Sequence, residues 1–290
     1  MHDILDNLTN KTIDCLDHGH VTIVDMMPRI VPKDRKTADY AICQAARVSY
    51  GDGTKTVNED RGLIRYLLRH KHTTPFEMIE FKFAMKLPIF VARQMIRHRT
   101  ANVNEYSGRY SVMKDEFYLP TNGNVRQQSS TNKQGGDASV EESSALGFMN
   151  DINEICSESY KAYEKAMADG ISREQARMLL PVNLYTSWYW KVDLHNLLHF
   201  LALRCDSHAQ WEIRVFAEAM LDLIRPLVPW TIEAWEDYHD HRGGIRLTRL
   251  EVEAVAKALH GVQMPSIDSE NKREQDEWVA KALRLGMSGK

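Results

Sequence analysis

The chain has 290 residues, of which 43% are hydrophobic and 27% are charged, and this composition predicts a soluble globular protein with a substantial core. Its formal net charge of -3 argues against a general attraction to nucleic acid or to an anionic membrane, so basic side chains can act only as a local cluster. No apolar run approaches a membrane span, and the four cysteines form no CxxC pair, which predicts reduced thiols in a cytoplasmic protein.

The first third of the chain predicts two strands and two helices. Residues 20–26 are rich in β-branched side chains and read as a strand. Residues 38–48 and 58–72 have the apolar spacing of helices. Further on, apolar side chains alternate with polar or small ones, which predicts a half-buried strand in an antiparallel sheet with one solvated face. The apolar members of that alternation are Ile79, Phe81, Phe83 and Met85.

Residues 93–111 are the most informative segment, because a helix beginning at Pro88 should end there and a polar loop should follow. Arginine offers a planar fork of donors that matches a phosphate or carboxylate, and a loop rich in Asn, Ser and Gly can turn backbone N–H groups toward an anion. The segment therefore predicts an anion site. Its functional side chains are Arg93, Arg97, His98, Arg99, Glu105, Ser107 and Arg109.

The second half of the chain begins with residues 121–144, whose Asn, Gln, Ser and Gly content predicts a mobile surface loop. Residues 145–169 have helical periodicity, and Ser172 with Gln175 predicts a capping box for a helix over 173–180. Residues 184–193 alternate and predict a second sheet strand. A capping box at Ser207 and Gln210 predicts a helix through Ile224, and the tail after about residue 236 is expected to be helical.

Residues 194–204 predict a helix whose faces carry different chemistry. At 100° per residue, His195 and His199 lie nearly opposite Leu197, whereas Arg204 lies almost in line with it. An arginine on an apolar stripe needs an anion or an acceptor, because an unpaired buried charge is prohibitive. We therefore expect that one compact ligand cannot touch all three polar side chains from this helix. The stripe itself is formed by Leu194, Leu197, Leu198 and Leu201.

A His-ligated metalloenzyme is one alternative function. His195 and His199 have the i, i+4 spacing of a zinc-binding pair on one helix face. Asp193 is the only close carboxylate, and no HExxH motif surrounds the pair, so a surface pair of histidines is favoured and no metal is expected. A third ligand would have to come from His208, His239 or His241.

Two further alternatives are a nucleic-acid-binding module and an enzyme with a nucleophilic cysteine. Arginines interleaved with Tyr106 and Tyr110 permit the first, but the acidic net charge and the lack of a recognised fold signature argue against it. Cys205 lies beside Arg204 and near His208, but at a helix C-terminus, where the dipole disfavours a thiolate. Ser107 has no adjacent base and is interpreted as a phosphate contact.

The segment RHRTANVNEYSGRYS, with the spacing RHR-x7-S, resembles the signature of the flavin-dependent thymidylate synthases. The blocks HKHTTPFE, ARMLLPVNLYT and LRCDSHAQWEIR resemble others of that family, so the resemblance covers roughly residues 20–250. It implies an α/β (α+β) fold, an antiparallel sheet flanked by helices in a single large catalytic domain, residues 1–290. It also implies a homotetramer with active sites between subunits. The implied reaction methylates dUMP to dTMP with FAD, NADPH and methylenetetrahydrofolate.

The resemblance also implies roles for individual residues, and Arg204 matches the catalytic residue that polarises the uracil ring. Asn102 stands where a serine is common, and Asp193, His195 and His199 stand where Asn or Arg is frequent. The implied flavin contacts are Thr74, Arg97, His98, Arg99, Glu105, Asp193, His195 and His199. The implied dUMP contacts are Gln94, Arg97, Glu105, Ser107, Gly108, Arg109, Arg177 and Arg204.

Overall fold

The computed structural model describes residues 8, 10–29, 32, 36–48, 57–130, 135–238, 245–259, 266–267 and 272–287. The chain divides into two compact units, Met1–Trp235 and Glu236–Lys290, and the second begins where the helical tail is predicted. The predicted fold class, an antiparallel sheet flanked by helices, is confirmed.

The sheet of the first unit has five strands in the order β1-β2-β3-β7-β4, and all neighbouring strands are antiparallel. Two of its three inner strands, β3 and β7, correspond to the two predicted alternating segments. The strands are β1 (Thr12–Cys15), β2 (Gly19–Met27), β3 (Glu80–Pro88), β4 (Asn102–Glu105) and β7 (Tyr185–Asp193).

Alternation along β3 separates a dry face of the sheet from a wet one, as predicted. Phe81 and Phe83 are fully buried in the main core, while Lys82 between them lies on the other face, above the ring of Tyr189 at 5.0 Å. On β7 the buried Trp190 pairs with Phe83 and joins the same core. Residues two apart on a strand share a face, so this pattern fixes which face the helices cover.

Ten helices are described. The leucine stripe of the helix that follows β7 is buried, as predicted. The helices are α1 (Asp39–Arg47), α2 (Val57–Arg69), α3 (Ile89–Met95), α4 (Glu142–Ala168), α5 (Arg173–Ala176), α6 (Leu194–Arg204), α7 (Trp211–Ile224), α8 (Pro229–Tyr238), α9 (Arg249–Leu259) and α10 (Lys272–Arg284). Short 3-10 turns span Thr74–Met78, Asn122–Asn124 and Arg177–Leu179.

Three local predictions are wrong. Residues 102–105 form β4. The hydrogen bonds that their backbone makes with β7 at the sheet edge outweigh the local preference of asparagine for turns. Pro88 ends β3 and caps α3 instead of opening the helix. Neither predicted capping box forms: Ser172 makes no capping bond, and α7 begins only after Gln210.

Residues 121–144 contain a small hairpin, in which β5 (Arg126–Gln128) pairs antiparallel with β6 (Gly136–Ser139). The mobility of this segment stays a prediction. Among the helices that the structure describes, none combines the length and apolar character needed to span a bilayer.

The second unit has its own small core. Trp278 and Ala282 of α10 pack with Ala254 of α9 and are almost fully buried. Glu251, also buried, accepts a hydrogen bond from Lys281 Nζ at 2.8 Å and thereby ties the two helices together.

In the first unit, α8 is held to α1 by the buried carboxylate of Asp39. Its Oδ1 accepts hydrogen bonds from the Thr231 backbone N–H at 3.1 Å and from Thr231 Oγ1 at 2.6 Å. Its Oδ2 accepts from the Trp230 backbone N–H at 3.0 Å. The carboxylate thus satisfies donors of the first turn of α8 across 192 positions of sequence.

Replacing this group should destabilise the protein. Asp39→Ala leaves buried donors without partners, and we expect the free energy of unfolding to fall by about 3 kcal/mol. Urea denaturation followed by far-ultraviolet circular dichroism measures it. Thr37→Val, which removes only the 3.3 Å contact of Thr37 with the same carboxylate, is the control and should cost less than about 1 kcal/mol. Equal losses of unfolding free energy in the two variants would contradict the capping role of Asp39.

Candidate active site

The RHR-x7-S segment is divided by strand β4. Helix α3 ends at Met95, and residues 97–100 turn the chain into the sheet, with the His98 N–H bonded to the Met95 carbonyl at 3.0 Å. After β4 the chain turns again, and the Tyr110 and Ser111 N–H groups both donate to the Ser107 carbonyl. Four extended residues span about 13 Å. The Arg97-His98-Arg99 triplet and Ser107 therefore lie at opposite ends of the strand. A cavity lies at each end.

The arginine cavity, at the start of β4, has a volume of about 420 Å³. It holds three guanidinium groups, those of Arg97, Arg99 and Arg204, and none forms an ion pair with a residue that the structure describes. Cations without an internal counter-charge indicate a site for an anion. The complete lining is Arg97, His98, Arg99, Thr100, Trp190, Val192, Asn196, His199, Leu203 and Arg204.

Helix α6 contributes more to this cavity than its helical wheel predicts. His199 and Arg204 both line it although the helical wheel places them on different faces, and the expectation that one compact ligand cannot touch all three polar side chains stays a prediction. The long side chain of Arg204, at the C-terminal end of α6, reaches the same space as His199 on another face of the helix. His195 is half-buried and lines neither this cavity nor the one described below.

Asp193 caps α6 and orients a cavity residue that the sequence analysis missed. Its Oδ1 accepts the Asn196 backbone N–H at 2.9 Å, and its Oδ2 accepts Asn196 Nδ2 at 2.7 Å. Both carboxylate oxygens are therefore engaged within α6, and Asn196, not Asp193, lines the arginine cavity. An Asp followed three residues later by Asn is the sequence signal of this arrangement.

The serine cavity, at the other end of β4, has a volume of about 300 Å³. Its polar wall combines a carboxylate, two hydroxyls and a guanidinium, and the rest of its lining is mostly apolar, as in many small-molecule sites. The polar members are Glu105, Ser107, Arg177 and Thr186, and the remaining lining residues are Ile89, Tyr106, Gly108, Met113, Leu180 and Leu184.

Two contacts shape the polar wall of the serine cavity. The buried hydroxyl of Thr186 donates to Glu105 Oε1 at 2.7 Å, which holds that carboxylate against β7. Gly108 is buried, and a Cβ there would lie 2.8 Å from Met113 Sδ and 3.4 Å from Arg177 Cδ. The absence of a side chain at position 108 therefore keeps Arg177 and Met113 in place.

Five predicted site residues lie in neither cavity: Asp193 and His195, described above, and three others. Gln94 donates a side-chain hydrogen bond to Gln210. Arg109 forms an ion pair with Glu174 at 3.5 Å, and Thr74 lies exposed at the start of a 3-10 turn. The other predicted residues line one of the two cavities. The arginine cavity contains Arg97, His98, Arg99, His199 and Arg204, and the serine cavity contains Glu105, Ser107, Gly108 and Arg177.

The structure describes all four cysteines, and each is a free thiol. Burial raises the pKa of Cys15 to about 12 and also raises the pKa of Cys156. Within the described ranges, no group of three or more His, Cys, Asp or Glu side chains comes together as a metal-ligand set. His239 and His241, considered above as third metal ligands, lie outside those ranges.

The fold and these cavities define a class of protein: an α/β protein with an arginine-lined cavity at the edge of an antiparallel sheet. Residues 31–230 match the family described as Thy1, thymidylate synthase complementing protein. The chain therefore belongs to the Thy1 family.

Individual relatives agree with this membership. The chain is 51% identical to a flavin-dependent thymidylate synthase of Dictyostelium discoideum over 98% of its own length and 90% of the relative's. It is 47% identical to the enzyme of the same name from Rickettsia bellii, over 97% and 96%. Among solved structures, a UMP/dUMP methylase PolB from Streptomyces cacaoi bound with 5-Br dUMP superposes with a TM-score of 0.68. It is 31% identical and covers 78% of this chain and 98% of that one.

Proposed function

We propose that this protein reductively methylates dUMP to dTMP. Methylenetetrahydrofolate supplies the carbon, and NADPH supplies the hydride. The observation that carries the proposal is the convergence of Arg97, His98 and Arg99 with Arg204, from segments far apart in sequence, in one cavity without a counter-charge. Membership of the Thy1 family, whose relatives carry the name flavin-dependent thymidylate synthase, supports it.

The arginine cavity suits part of a flavin dinucleotide. Its guanidinium groups match the phosphates of FAD, and Trp190 and Leu203 offer apolar surface to a ring. We assign Arg97, His98, Arg99 and His199 to the cofactor. When bound, FAD carries the hydride that NADPH supplies.

The serine cavity suits the substrate nucleotide. We assign Arg177 and Ser107 to the dUMP phosphate, and Glu105, which Thr186 holds, to a hydrogen bond from the nucleoside. Arg204 is assigned to the uracil ring, where a fixed guanidinium stabilises the negative charge that develops as hydride adds.

We also propose that the active site is shared between subunits of a homotetramer. The implied dUMP set is split, since Arg97 and Arg204 line one cavity and Glu105, Ser107 and Arg177 line the other. A second copy that places its arginine cavity against a serine cavity would complete the set. Exposed apolar side chains support such contacts: Phe148 and Ile155 on α4, and Met178 and Val182 beside Arg177, are 50%, 58%, 77% and 62% exposed.

A visible spectrum tests the function. We expect the purified protein to be yellow with bound FAD, and NADPH to bleach the flavin faster when dUMP is present. Radioactive dUMP should yield dTMP only with methylenetetrahydrofolate. A protein that gains no flavin spectrum after FAD is added, or forms no dTMP, would contradict the proposal.

Co-expression tests the shared site. Arg204→Ala and Arg177→Ala chains, each weakly active alone at low dUMP, should form mixed tetramers. About a quarter of the sites would then combine an intact Arg204 with an intact Arg177, if each site takes the two residues from different subunits. Activity no greater than the sum of the separate variants would place both residues of a site on one chain and overturn this part of the proposal.

The family match and the named relatives do not favour the metalloenzyme or the nucleic-acid module. We propose a cytoplasmic location, which the four free thiols support.

A further inference from the structure

His98 makes a contact that flavin binding does not account for. Arg204 Nε donates a hydrogen bond to His98 Nε2 at 3.2 Å, across 106 positions of sequence. The contact joins the turn after α3 to the last residue of α6. It lies in the arginine cavity, which both side chains line.

The imidazole is held in place by packing on its other side. Its ring meets Phe200 edge to face, with the centroids 4.9 Å apart and the planes at 82°. Phe200 is fully buried and contacts Trp190 in the main core, with ring centroids 5.3 Å apart. The position of His98 Nε2 is therefore set by the core, and the arginine adjusts to it.

The direction of the hydrogen bond determines the protonation state of the ring. A guanidinium has donors only, so His98 Nε2 must carry a lone pair and the single proton must lie on Nδ1. Burial, the charge of Arg204 and the nearby His199 together lower the pKa of His98 to about 4. At neutral pH the ring is an uncharged acceptor.

The contact engages only one of the five donors of Arg204. Its terminal NH₂ groups make no hydrogen bond to a residue that the structure describes, so they remain available to a ligand. A long arginine side chain loses considerable rotamer freedom when it is fixed, and an internal acceptor at Nε provides that fixation before the ligand arrives.

We propose that His98 is a positioning residue for Arg204: the neutral imidazole accepts the Nε–H and thereby aims the guanidinium fork at the substrate ring. The inference rests on the proposed function, because it assumes that Arg204 acts on dUMP. It adds a task to the central histidine of the RHR triplet that is separate from contact with the flavin.

Two substitutions separate positioning from packing. In His98→Gln, the amide oxygen lies near the former Nε2 position and can accept from Arg204. In His98→Phe, the ring still packs on Phe200 but offers no acceptor. We expect kcat to fall tenfold or more in the Phe variant and less than about threefold in the Gln variant. The kcat values are expressed per bound flavin, so that any loss of the flavin contact of His98 is separated from the loss of positioning, and the thermal midpoint should be close to wild type in both. Equal kcat losses in the two variants would overturn the proposal.

A double-mutant cycle tests whether His98 acts through Arg204. The readout is single-turnover oxidation of the reduced flavin by dUMP and methylenetetrahydrofolate. Adding His98→Phe to Arg204→Ala should slow this step by less than about twofold, since the arginine to be positioned is absent. Multiplication of the two single effects would show independent roles and overturn the proposal.

A spectroscopic readout makes the test independent of turnover. Nitrogen NMR of histidine-labelled protein at neutral pH should show His98 as the Nδ1–H tautomer in wild type, because the partner of Nε2 decides which nitrogen carries the proton. Arg204→Ala should release that preference. A wild-type ring protonated at Nε2 would overturn the inference. If the wild type formed no dTMP, the proposed function would fail instead, whatever the tautomer.

Discussion

The Arg204→Ala protein should retain its FAD and turn over dUMP at least about a hundredfold more slowly than wild type. A fixed guanidinium at a developing negative charge is typically worth about 3 kcal/mol of transition-state stabilisation. Arg204 is half-buried at the end of α6, with Nε fixed by His98, so its fork is directed before the substrate binds. Flavin absorbance and stopped-flow flavin oxidation measure the two quantities separately.

Two further variants make the Arg204 result specific. Arg204→Lys should recover little, because a point charge on a flexible stem reproduces neither the planar fork nor the bond to His98. Arg177→Ala is the control for lost positive charge. If Arg177 only holds the phosphate, the Arg177→Ala variant should have a higher KM for dUMP, and a high substrate concentration should partly restore its activity. An Arg204→Ala enzyme with a near wild-type rate would show that another group activates the ring.

Gly108→Val should reduce kcat/KM for dUMP by about a hundredfold while the protein stays folded and binds flavin. A Cβ alone would lie 2.8 Å from Met113 Sδ, and the two added methyl groups must displace Met113 or the Arg177 side chain. The arginine that should hold phosphate would move, and misplacement on the order of 1 Å can cost a hundredfold. The arginine cavity does not include position 108, so flavin content should not change.

A control glycine and a compensating substitution make the Gly108 test more specific. Gly123→Val adds the same side chain at a site with no heavy atom within 4 Å of the new Cβ, and it should leave kcat/KM within about twofold of wild type. Gly108→Ala combined with Met113→Ala removes the colliding thioether and should restore part of the activity lost in Gly108→Ala alone. A Gly108→Val enzyme with unchanged kinetics would contradict the role of this close approach.

The sequence predicted the layers of this fold well. Strict alternation at residues 79–86 and 184–193 identified the two central strands, because side chains two apart on a strand share a face. The leucine spacing of α6 identified its buried stripe. Local predictions failed where the sheet competed with turn preference: residues 102–105 join β7 although their asparagines favour a loop.

Sequence alone also determined which family the chain resembles and predicted many of the residues that line the two cavities, since RHR-x7-S and its neighbouring blocks are local patterns. Only the tertiary structure decided how they are grouped. β4 separates the triplet from Ser107, and α6 brings Arg204 to His98 across 106 positions. Thr186 reaches Glu105, and Asp193 turns to Asn196 instead of the cavity. These contacts depend on strand register and on the paths of distant segments, because a side chain is positioned by whatever packs against it and not by its neighbours in sequence.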